Sequence, residues 1–242
     1  MNKQSNVYTL IYIIVLVVVV GAGLAFTSIS LKSRQQANAD ADKMRQILAS
    51  VHITPAADSI IPAYREYIPE TFVVDSEGRK VAGADAFAVN VAQEIKKPDS
   101  ERELPVYVCR LADGSRKYIL PLYGAGLWGP IWGYVALDAD ASTIYGAYFA
   151  HQGETPGLGA EIEKPKFCDS FEGKRLFKGG EFLPVAVVKA GQKPQGDEDY
   201  VDGVSGGTIT SKGVGSMLDN CLKPYAAFLR YEANKSDKIQ VE

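Results

Sequence analysis

Residues 105–124 read PVYVCRLADGSRKYILPLYG. Two runs rich in Val, Tyr, Ile and Leu flank Ala-Asp-Gly-Ser, and β-formers on either side of an Asp-Gly pair are a strong local signal for an antiparallel hairpin. Downstream, IWGYVALDA (131–139) and STIYGAYFAH (142–151) are runs of similar length, separated by a turn around residues 138–141. Upstream, ETFVVDSEGRKVAG alternates around Ser-Glu-Gly, which predicts a further hairpin over 70–83. PVAVVKA (184–190) reads as one more strand.

Helical periodicity flanks these runs. Met44, Ile47, Leu48 and Val51 recur at i, i+3, i+4 and i+7, an amphipathic helix that Thr54-Pro55 closes. Phe87, Val91 and Ile95 suggest a helix over 84–96, FCDSFEGKRL (167–176) a short one, and residues 211–232 a final one. The fold class expected is α+β: an antiparallel or mixed sheet with flanking helices set to one side.

Residues 6–31 contain no charged side chain. At ~1.5 Å rise per residue, about 20 apolar residues cross a hydrocarbon core, and residues 7–26 meet that length with Tyr8 and Tyr12 near one interface. A cleaved signal peptide is the competing reading, since Lys3 precedes the run and Gly23-Leu24-Ala25 offers small residues. Signal h-regions span only about 7–15 residues, so an anchor is favoured. The expected division is residues 1–32 as a transmembrane anchor in membrane lipid and 33–242 as the folded domain, with 33–52 a stalk helix. Lys32, Arg34, Lys43 and Arg45 follow the span, which taken alone places the domain in the cytoplasm.

Composition excludes several classes. The 242 residues carry a formal net charge of −3 with no basic block, so nucleic acid is not an expected partner. Cys109, Cys168 and Cys221 are far apart, with neither C-x-x-C nor His at ligand spacing, and read as small buried residues rather than a disulfide or metal framework. Neither G-x-G-x-x-G nor G-x-x-x-x-G-K-[ST] occurs, so this chain shows no nicotinamide site and no P-loop.

Three stretches break the patterning at strand ends: YGAGLWGPIWGY (123–134), HQGETPGLGA (151–160) and DGVSGGTITSKG (202–213). In the last, Gly206 and Gly207 allow positive φ and close approach, and Thr208 to Ser211 stand just ahead of a helix start, where free N–H groups seat a phosphate. The plainer reading is a turn with a Ser or Thr N-cap. Trp128 and Trp132 read alone as core packing, and His151 with Glu154 as a structural hydrogen bond.

Together and in this order, behind one apolar N-terminal run, these motifs resemble the FMN-binding domain family, in the branch of the C subunits of sodium-translocating NADH:quinone reductases. The resemblance covers essentially the whole chain. It implies that the last Thr of Asp-x-x-(Ser/Thr)-Gly-Ala-Thr is esterified to the phosphate of FMN by a separate flavin transferase. The matching residues are Asp202, for transferase recognition, then Ser205, Gly206, Gly207 and Thr208, with Gly207 where the pattern prefers Ala. Thr208 is thus the implied attachment site, with Thr210 beside it. Glu154, Thr155, Gly157, Leu158 and Gly159, with Leu127 and Trp128, are implied to surround the flavin. The resemblance further implies an electron-carrying subunit working with other subunits of a membrane complex that oxidises NADH, reduces quinone and moves sodium. It places the domain outside the bacterial cytoplasmic membrane, against the charge bias. The G subunit of the Rnf complex shares the ETPGLG and Ser-Gly-Ala-Thr regions. The GLW stretch and the fuller HQGETPGLGAEIE favour the quinone-reductase branch. A flavin-free anchored scaffold is the reading from a different class.

Overall fold

A computed structural model describes residues 6–239. Lys3 and the outer ends of the two expected segments lie outside those residues. The chain divides into two compact units, Met1–Lys43 and Met44–Glu242. Helix α1, Asn6–Ala49, carries an N-terminal stretch long and apolar enough to cross a membrane, and this stretch is not buried by protein.

The second unit is built on a five-stranded antiparallel meander in the order β1-β2-β3-β4-β5, comprising Glu70–Val74, Leu104–Arg110, Arg116–Ala125, Pro130–Leu137 and Ile144–His151. The quoted hairpin is β2 and β3, in register Tyr107↔Ile119 to Arg110↔Arg116. Its turn closes because Gly114 takes φ +83° and Asp113 Oδ1 accepts the Ser115 N–H at 2.8 Å. Pro121 stands in the middle strand, where a missing N–H would break a ladder. The β2–β3 register ends at Ile119, however, so the Leu120–Ala125 edge opposite β4 has no strand on it.

Helices cover both faces of the sheet. On one, Val106, Leu120, Val135 and Phe149 pack with Val214, Leu218 and Phe228 of the last two helices. On the other, Val73, Tyr107, Ile119 and Tyr134 pack with Ile47 and Leu48 of α1, Val51, and Tyr64 of α2 (Ile60–Tyr67). The one-sided arrangement expected from sequence is thereby corrected: strands buried on both faces need cover on both.

Other expectations change in detail. Of the 70–83 hairpin only β1 forms, and it pairs with β2; the returning arm contributes an isolated bridge, Val74↔Lys80. The helix expected over 84–96 shrinks to α3, Val91–Glu94, because the Asp85 carboxylate accepts the Phe87 N–H at 2.9 Å and offers the backbone a turn instead. The short helix near 167 is α4, Pro165–Cys168, followed by the 3-10 turn Asp169–Phe171. Phe177–Lys178 (β6) and Glu181–Phe182 (β7) form a small hairpin. Ala186–Val188 (β8), within the expected strand, pairs in parallel with Tyr200–Asp202 (β9). The final helix starts earlier than expected, as α5, Thr208–Leu222, and breaks at Lys223–Tyr225, where Pro224 has no N–H to donate, before α6, Ala226–Ile239.

Candidate flavin site at the head of α5

The unpaired edge of β3 sets the position of α5. The Tyr123 N–H donates to Cys221 Sγ at 3.4 Å, and that thiol donates to the Tyr123 carbonyl at 3.3 Å, so the helix satisfies the strand backbone directly. Glycines make the approach possible: a Cβ on Gly124 would stand 2.8 Å from Met217 Cβ, and one on Gly213 would overlap the Ala125 carbonyl oxygen. The head of α5 is therefore fixed beside the 126–129 loop that joins β3 to β4. Burial pushes all three cysteine thiols up to about 11, in keeping with their reading as small buried residues.

Thr208 is the first residue of α5, so Thr208 to Ser211 form its first turn instead of preceding it. The N-cap is Gly207, with no side-chain cap, which sets aside the Ser or Thr N-cap reading; its carbonyl accepts the Ser211 N–H at 2.8 Å, and the amides of Thr208, Ile209 and Thr210 are left without an intrahelical acceptor. The approach to the helix is tight. Gly206 takes φ +76°, and a Cβ there would lie 2.5 Å from Leu158 Cδ2; a Cβ on Gly207 would meet the Gly159 nitrogen at 3.2 Å. The ETPGLG loop thus lies directly on the turn before α5. Within that loop Gly157 takes φ +75°, and Thr155 O accepts the N–H groups of Leu158 and Ala160 at 3.1 and 3.2 Å.

Glu154 ties its own loop to the 126–129 loop and to the head of α5. Its carboxylate accepts the Trp128 backbone N–H at 2.8 Å on one oxygen and the Thr210 hydroxyl at 2.6 Å on the other. Its backbone N–H donates to His151 Nδ1 at 3.1 Å, so that pair is joined through the amide and not through the carboxylate, and the other nitrogen of His151 stands 3.5 Å from Glu163. Glu154 faces inward, 4% exposed, as does Thr210 at 1%.

Four side chains beside this clamp point the other way. Beyond residue 31, six large apolar side chains are exposed among the described residues, and four of them are Leu127, Trp128, Leu158 and Ile209. Trp128 is 68% exposed, so the core reading fails for it. Trp132 is half-buried, donating its indole N–H to Gln46 Oε1 at 3.0 Å. Leu127 and Trp128 lie on the 126–129 loop, Leu158 on the ETPGLG loop and Ile209 at the head of α5, the elements that Glu154 joins. Thr208 is exposed, and its hydroxyl has no protein partner among the described residues.

Asp202 lies apart from the turn in its bonding: its Oδ1 accepts the Gly191 N–H at 3.2 Å, tying β9 to the loop after β8. Ser205 is exposed. Ser211, the last of the hydroxyl run marked in the sequence, accepts the Val204 N–H on Oγ at 2.9 Å and locks the turn to the helix.

On this antiparallel sheet with its glycine-lined helix head, residues 126–223 match the model of the FMN-binding domain. The chain is 34% identical over 208 residues to the C subunit of the Na(+)-translocating NADH-quinone reductase of Vibrio alginolyticus, spanning 78% of this chain and 80% of that one. The corresponding C subunit of Chlamydia muridarum is 31% identical over 227 residues, covering 78% of this chain and 71% of that one. The crystal structure of the Parabacteroides distasonis C subunit superposes with a TM-score of 0.77 at 53% identity, covering 82% of this chain and 96% of that one. The chain belongs to the family of Na(+)-translocating NADH-quinone reductase C subunits, components of an oxidoreductase complex.

Proposed function

We propose that this chain is the FMN-carrying subunit of a sodium-translocating NADH-quinone reductase. In this reading FMN is joined by a phosphodiester to Thr208, residues 7–26 anchor the chain in the bacterial cytoplasmic membrane, and the domain stands on the outer side. Other subunits of the complex supply the NADH site, and a flavin transferase loads the cofactor. FMN, when bound, accepts and releases electrons; the protein's own residues hold it.

The observation that carries the reading is the state of Thr208: an exposed, unpartnered hydroxyl at the first position of a 15-residue helix. The phosphate of a cofactor esterified there meets the free amides at the start of the helix, those of Thr208 to Thr210, and the positive end of the helix dipole. Gly206 and Gly207 keep side chains out of its path, and Leu127, Trp128, Leu158 and Ile209 offer an apolar wall to a planar ring. Covalent attachment prevents loss of a cofactor from a site that is open on one side.

Mass analysis of the peptide spanning Thr208, taken from native membranes, tests this. The expected peptide is heavier by FMN less water, and the denatured chain stays yellow. A peptide of unmodified mass and a colourless chain would instead support the flavin-free scaffold.

A further inference from the structure

The geometry points to Glu154 as a positioning residue that decides which threonine at the head of α5 is open to the flavin phosphate. The inference rests on the Thr208 reading above. Two threonines stand two positions apart on α5, and their hydroxyls are chemically alike. What separates them is the carboxylate of Glu154, which binds the Thr210 hydroxyl at 2.6 Å in a buried setting and leaves Thr208 unpartnered. The other oxygen of the same carboxylate binds the Trp128 N–H at 2.8 Å, so one group both withdraws Thr210 and fixes the loop that bears the exposed Trp128.

The seat for this carboxylate is built by two loops. A Cβ on Gly126 would overlap Glu154 Oε1, and a Cβ on Gly159 would overlap Glu154 Oε2 and stand 2.5 Å from Thr210 Oγ1. Both sites accept no side chain larger than glycine while the carboxylate is in place. Glu154 acts here through Thr210 and the 126–129 loop.

Esterification in water needs an activated donor, which we take to be an FMN-bearing phosphoanhydride. The Thr208 Oγ–P bond forms, the P–O bond of the anhydride breaks, and the departing phosphate keeps the electron pair. The hydroxyl proton passes to a base on the transferase, and nothing is oxidised or reduced. Thr210 does not enter this exchange because the hydrogen bond it donates to Glu154 holds its hydroxyl in a buried position.

The test uses the full chain co-produced with its flavin transferase, with the FMN position mapped by peptide mass. Wild type is expected to carry FMN on Thr208 alone. E154Q keeps an oxygen for the Trp128 N–H and an N–H for the Thr210 oxygen, and is expected to load like wild type. E154A loses both bonds, and its Thr208 loading is expected to fall roughly tenfold or to pass in part to Thr210. A folded E154A that loads Thr208 fully and leaves Thr210 bare overturns the inference. Should E154A not fold, hydrogen exchange of the wild-type Trp128 amide decides: protection supports the clamp, and exchange at the rate of an unstructured peptide overturns it. A wild-type chain with no FMN sinks the reading of Thr208 instead, and the exchange measurement still judges the clamp.

Discussion

Thr208 and Thr210 differ in what their hydroxyls touch because two helical residues turn the side chain through about 200°. One therefore faces solvent and the other the buried carboxylate. T208A removes a surface hydroxyl without a partner, so stability is expected to change by less than about 0.5 kcal/mol. Covalent FMN is expected to vanish without reappearing on Thr210; a thermal melt and peptide mapping check both halves. Gly207 is the departure from the family pattern, and the structure supplies a reason. A methyl group there meets the Gly159 nitrogen at 3.2 Å and Leu158 C at 3.3 Å, both in backbone that is held in place. G207A lowers the entropy of the unfolded chain, which favours folding, but overpacks the loop, so a net loss of about 1 kcal/mol is expected from denaturant midpoints, with FMN loading retained.

At the scale of elements, the turn between β4 and β5 places the ETPGLG loop by fixing where β5 runs. Asp140 builds that turn, accepting the Ser142 N–H at 2.9 Å, the Thr143 N–H at 2.8 Å and the Thr143 hydroxyl at 2.6 Å. Burial alone would raise its pKa. The Thr143 hydroxyl and the two amides outweigh burial and hold the carboxyl below its ordinary 3.8. A depressed folded pKa means the stabilisation is complete above the unfolded value and is lost as pH falls through the folded one. D140N is therefore expected to be less stable than wild type at pH 7 by roughly 1–3 kcal/mol. The gap should narrow below pH ~4 as the wild-type carboxyl protonates, which melts at pH 7 and pH 3 would reveal.

The same elements mark what was legible in the sequence. Strands β2 to β5 followed from local signals, because Asp-Gly turns and β-branched runs act within a few residues. The fate of residues 75–83 did not: Val74 pairs with Leu104 across a long intervening segment, and no local pattern distinguishes that partner from the nearer one. The motif glycines were readable as permissive, but not what each permits. Gly126 and Gly159 make room for a glutamate whose inward orientation depends on two loops and the head of α5 meeting. Trp128 reads as core from sequence and is exposed in the fold for the mirror-image reason, since an aromatic residue at a strand entry carries no signal of which way it faces.

For the whole molecule, the sharpest consequence lies in where the folded unit begins. The sequence pattern suggests a change of role after residue 32, whereas the compact second unit begins at Met44, and Ile47, Leu48 and Val51 belong to its core. Ile47 and Leu48 are fully buried among Val73, Tyr107 and Ile119, so they act as sheet cover although α1 also contains the apolar span. A chain lacking residues 1–43 is expected to be soluble and to melt cooperatively, because it keeps both faces of the sheet covered. A chain lacking residues 1–51 loses three core side chains, each worth roughly 2–5 kcal/mol. That sum rivals the entire stability of an ordinary domain, about 5–15 kcal/mol, so this shorter chain should show no cooperative transition. Thermal unfolding and size-exclusion profiles of the two truncations separate the cases. Aggregation of the 44–242 chain would mean that the second unit needs the preceding helix, while a cooperative melt of the 52–242 chain would show that Ile47 and Leu48 are dispensable to the sheet.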